Sequence, residues 1–93
     1  MELSVENARS ALVAMVESGA NDGLKRSLTD LQTGAIKNEE NGWFSIGAWR
    51  VNLQQRLSVV TIDAGPIFAE YSGVFQRDDQ GKWIAVITNE VRN

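Results

Sequence analysis

The sequence predicts an α+β domain in which one or two N-terminal helices pack on a curved antiparallel sheet of four to five strands. Two observations lead there: apolar residues recur at helical spacing up to Gly34, and beyond it the period falls to two, broken by turn signals. The length of 93 residues suits one domain, spanning residues 1–93, that buries about two-thirds of its unfolded surface.

The first helix covers Ser4 to Ser18, where Val5, Ala8, Leu12, Met15 and Val16 form one stripe. Ser4 is placed to accept a hydrogen bond from the first turn, and Glu6 sits where the helix dipole favours an anion. Gly19 and the turn signal "NDG" at Asn21 to Gly23 end it. Leu24, Leu28 and Leu31 suggest a second, shorter helix that Gly34 closes.

The strand runs are Trp43 to Leu53, Leu57 to Ile62, Ile67 to Arg77 and Lys82 to Val91, with a short extra run at Ala35 to Asn38 turned by "NEENG". Within "NGWFSIGAWRV", Phe44 and Ile46 have one parity, and Trp49, Val51 and Leu53 the other. A bulge at Gly47-Ala48 resets the alternation, so that all five point inward and Trp43, Ser45, Arg50 and Asn52 point outward.

The last hairpin reads "SGVFQRDDQGKWIAVI". A four-residue loop at Asp78 to Gly81 sets Arg77 opposite Lys82, Phe75 opposite Ile84, Gly73 opposite Val86 and Tyr71 opposite Thr88. The other face then carries Val74, Trp83, Ala85 and Ile87, a mixed surface suited to burial between two subunits. A homodimer through this face is the expectation.

Composition removes several chemistries. There is no cysteine and no histidine, so disulfides, thiolate zinc sites and histidine-based acid-base or nucleophilic catalysis are excluded. Asp78-Asp79 lacks the alternating oxygen ligands of a calcium loop, and the glycines form no phosphate-cradling run, so no metal and no cofactor is expected. With net charge -3 and no cluster of lysine and arginine, nucleic acid is not an expected partner. The opening "MELSVENARS" is acidic where a secretory leader is basic, and no apolar run reaches membrane length; the expected address is cytoplasmic.

Three kinds of site remain. Trp43, Trp49, Tyr71, Phe75 and Met15 are candidates to line an apolar pocket between helix and sheet, although core filling accounts for tryptophans in so small a domain. Asp63, Glu70 and Tyr71 are the candidate groups for acid-base work, one of the two carboxylates making the proton transfer, with Arg50 as an anion clamp, but nothing in their spacing brings them together. The third candidate is the Val74, Trp83, Ala85, Ile87 surface.

The order of helix then meander, closed by "GVFQRDDQGKWIAVI", resembles the cystatin-like folds, including the nuclear-transport-factor-2-like domains. That resemblance implies a sheet wrapped around the helix and self-association through the open sheet face. The chain is shorter than pocket-forming members and lacks the histidine that partners their aspartate, so no catalytic residue carries over. The leading expectation is a non-catalytic domain that associates with itself and with another protein. The alternatives are a binder of a small apolar ligand and a carboxylate-based isomerase or lyase.

Overall fold

The computed structural model describes the backbone of residues 2–19, 22–25, 27–64 and 67–92, and their side chains except 22, 23, 61–64, 67, 68 and 92. Helix α1 (Val5–Ser18) is followed by α2 (Asp22–Lys25) and α3 (Leu28–Thr33). Six strands come next: β1 (Ile36–Asn38), β2 (Trp43–Ile46), β3 (Trp49–Asn52), β4 (Arg56–Ala64), β5 (Ile67–Arg77) and β6 (Trp83–Arg92). They form one antiparallel sheet in sequence order, so each strand pairs with its neighbours in the chain. The helices cover one face, with α1 against β6 and α2 against β4.

Helix α1 starts as its cap predicts: the Ser4 Oγ accepts from the Asn7 N–H at 3.1 Å, satisfying one donor that the helix leaves unpaired. The expected second helix is two short pieces around Ser27. Arg9 ties α1 to α3, donating from its guanidinium to the carbonyl oxygens of Leu31 at 2.8 Å and Gly34 at 3.2 Å.

The sheet has six strands rather than four or five because the run from Trp43 to Leu53 folds back on itself. Gly47-Ala48 is the turn between β2 and β3, not a bulge. Gly47 has φ +58° while Ala48 stays at negative φ, the pattern of a two-residue hairpin turn with glycine at its first central position. Residues flanking such a turn pair directly and share a face, so Phe44, Ile46, Trp49 and Val51 still all point inward. Leu53 does not: it lies beyond β3 and is 41% exposed. Asn52, expected outward in water, is buried, its side chain accepting from the Gln54 N–H at 2.7 Å and donating to the Asn41 carbonyl at 3.4 Å.

In the last hairpin the register differs by one residue. Arg77 pairs with Trp83, Phe75 with Ala85 and Gly73 with Ile87, while Val74 pairs with Val86 and Gln76 with Ile84. Five residues, Asp78 to Lys82, lie between the strands, and the pairing of Asp78 with Lys82 leaves the inner three as the loop. The Gly81 N–H donates to the Asp78 carbonyl at 3.0 Å, the Asp78 N–H donates to the Lys82 carbonyl at 2.9 Å, and Gly81 has φ +80°. That is a turn followed by a left-handed residue, the usual three-residue hairpin loop. A slip of one residue transfers the side chains of Trp83 to Ile87 to the opposite face; an irregularity between Ser72 and Gly73 then makes the difference two residues, so that Tyr71 pairs with Glu90 rather than Thr88, and Asn89 and Val91 return to the open face.

Candidate functional site

The corrected register decides which face of the sheet each candidate occupies. Trp83 and Ala85 lie on the helix-covered face and are buried in the core, and Ile87 packs against it. Of the four residues expected on the open face, Val74 alone is there. Its companions are Ile84 and Val86, with Val60 and Val91 farther along the strands.

Trp49, Tyr71 and Phe75 meet Leu12, Val16 and Leu31 in the same core cluster, and Met15 sits at its edge. Trp49 and Phe75 are closed off from solvent. The Trp49 Nε1–H donates to the Ser27 Oγ at 2.8 Å, and that hydroxyl donates to the Leu24 carbonyl at 2.6 Å. This relay explains why Ser27 is buried between α2 and α3: it satisfies an indole that would otherwise lack a partner. Three of the four aromatic side chains expected in a pocket wall, Trp49, Tyr71 and Phe75, are therefore core components.

Trp43 is half-buried on the open face. The Arg50 guanidinium lies 4.9 Å from its ring centroid and reaches the Glu39 carboxylate at 2.9 Å. Arg50 is thereby engaged on β3, beside Ser58 and two strands from Glu70, which is exposed opposite Val60. The side chain of Asp63, the other candidate carboxylate, lies outside the described residues. Among the described residues no group of three metal-ligating side chains converges, and no helix is long and apolar enough to cross a membrane.

Two surfaces stand out. The first is the open sheet face, where Val60 and Val91 are 48% and 52% exposed beside half-buried Val74, Ile84 and Val86. No described helix covers it. Near its middle a shallow groove of about 250 Å³ runs along Ser58, Val60, Glu70, Ser72, Asn89 and Val91. The second is a cleft of about 730 Å³ at one end of the sheet, between Glu2, Asn41, Leu53, Gln55, Arg77 and Trp83. In a meander the starts of β2, β4 and β6 and the ends of β3 and β5 fall at the same end. Sequence spacing carried no signal for this cleft, because its walls come from five separate stretches of chain.

The chain matches no protein-family model, and no curated protein or solved structure is significantly similar to it. The α+β arrangement of a long helix and an open six-stranded antiparallel sheet therefore stands on the structure alone.

Proposed function

We propose that the protein is a non-catalytic association domain that forms a homodimer by stacking the open sheet faces of two copies. The observation that carries this reading is the self-complementary arrangement of the face. Along β4 and β5, Ser58 pairs with Ser72 at the centre, Arg56 with Val74 on one side and Val60 with Glu70 on the other. A two-fold axis in the plane of contact, crossing the strands at the Ser58–Ser72 pair, carries Arg56 of one copy over the Val60–Glu70 pair of the other. The small serines let the β4–β6 parts of two sheets approach to about 10 Å, with Arg50 of the same cross-strand row engaged by Trp43 and Glu39, and the valines and Ile84 supply the apolar contact. The helix-then-meander order also resembles the cystatin-like folds, which supports the same mode of pairing.

The size of the face sets the strength. Three strands about 4.8 Å apart, over about seven residues of 3.3 Å each, give a flat footprint of roughly 350 Å² per copy, well below the roughly 800 Å² of a standard partner surface. The dimer is thus a reversible one that dissociates on dilution. Light scattering across a dilution series tests it: the wild-type mass falls from two chains toward one, and Val86→Glu stays at one chain with an unchanged circular dichroism spectrum. A Val86→Glu protein that keeps the wild-type mass curve would overturn the reading.

A further inference from the structure

Trp83, which lines the cleft at the end of the sheet, carries a donor without an acceptor. Trp83 is 7% exposed, and its Nε1–H is buried with no hydrogen-bond partner. Buried indole donors are nearly always paired, as Trp49 is, so an unpaired one marks a place where a partner is missing. Over the same ring, 4.8 Å from its centroid, lies the Arg77 guanidinium, exposed and without an ion pair among the described residues. Two side chains that carry donors, one of them cationic, therefore line the same cleft.

The rest of the lining defines what would satisfy them. Leu53, 41% exposed, and Leu3 supply apolar surface, and Gln54, Gln55 and Asn41 supply neutral amide groups. Glu2 also lines the cleft and disfavours a multiply charged anion such as a phosphate ester. Gln55 is held with φ +77°, a backbone conformation uncommon outside glycine, by the Phe75 N–H donating to its carbonyl at 2.9 Å. That strained turn fixes the Leu53–Gln55 rim in place. Nε1 itself is closed off from water, so an acceptor reaches it only when a covering side chain shifts.

We infer that this cleft binds a small monocarboxylate with an apolar body, whose carboxylate accepts from the Trp83 indole and the Arg77 guanidinium while its hydrocarbon part lies on Leu53 and Leu3. This goes beyond self-association and uses a different surface. Guanidinium and indole N–H together suit a planar carboxylate, and charge assistance makes that pairing stronger than one between neutral groups.

The test uses the full chain and hexanoate. In ¹H–¹⁵N correlation spectra with the three indole resonances assigned, hexanoate at millimolar concentrations shifts the Trp83 Nε1–H signal downfield and saturably, while those of Trp43 and Trp49 hold still. Hexylammonium, of the same length and opposite charge, leaves it in place. Arg77→Gln, a change at an exposed side chain, weakens the hexanoate response about tenfold, and Leu53→Ser weakens it as well. The inference is overturned if hexanoate produces no saturable shift, if hexylammonium acts equally, or if Arg77→Gln responds as wild type does. Val86→Glu binds hexanoate as the wild type does, which separates this outcome from that of the dimer.

Discussion

Ser27 shows how one hydroxyl can hold two helices and a strand. It accepts from the Trp49 indole and donates to the Leu24 carbonyl, so Ser27→Ala strands a buried donor with nothing to replace the oxygen. A loss of about 1–3 kcal/mol is expected, the range for leaving a buried polar group unsatisfied. Urea denaturation checks it: the midpoint falls while the slope stays constant, since the surface exposed on unfolding is unchanged. A midpoint equal to wild type would mean that the indole finds another acceptor. Trp49 itself was legible as core from its parity with Val51. Its partner was not, because Ser27 lies 22 positions away in what read as a continuous helix stripe.

At the scale of elements, the sequence located α1 and the strand runs well and failed at connections. The reason is physical. Apolar periodicity reports which face is buried, and it is the same whether Gly47-Ala48 forms a bulge or a two-residue turn, since both place Ile46 and Trp49 on one side. Loop length in the last hairpin had the opposite consequence. Counting Lys82 as a strand residue moved Trp83, Ala85 and Ile87 to the open face, although "QRDDQGKW" reads equally as a four-residue loop or as the turn with a left-handed glycine that forms. The candidate interface was misassigned by that single residue. Gly47 offers a test of the turn. Its left-handed φ disfavours a side chain, and a Cβ there would lie 2.6 Å from the Asp30 Cβ in α3. Gly47→Ala should therefore destabilise by more than about 1 kcal/mol, lowering the melting temperature, and a neutral effect would show that the β2–β3 turn can change type.

For the molecule as a whole, charge placement on the open face gives a prediction that a hydrophobic patch alone would not. If Arg56 of one copy meets Glu70 of the other, Arg56→Glu weakens the dimer, Glu70→Arg weakens it too, and the double exchange restores it. Analytical ultracentrifugation of the four proteins decides this, and a double exchange no better than either single change would remove the proposed two-fold. Added salt should weaken the wild type for the same reason, since rim charges in water are screened. A different consequence comes from the packing of α1 on β6. Strands β1 to β5 can zip as successive local hairpins while the chain is being made, but the strand on which α1 lies is the last of the six. Closing so long a loop adds little to the equilibrium cost, because that cost grows only with the logarithm of length. It matters for timing: during translation the part of the α1 stripe that α3 does not cover waits until Trp83 to Val91 has emerged, so docking of α1 on β6 is the step that ends that stripe's exposure to proteases.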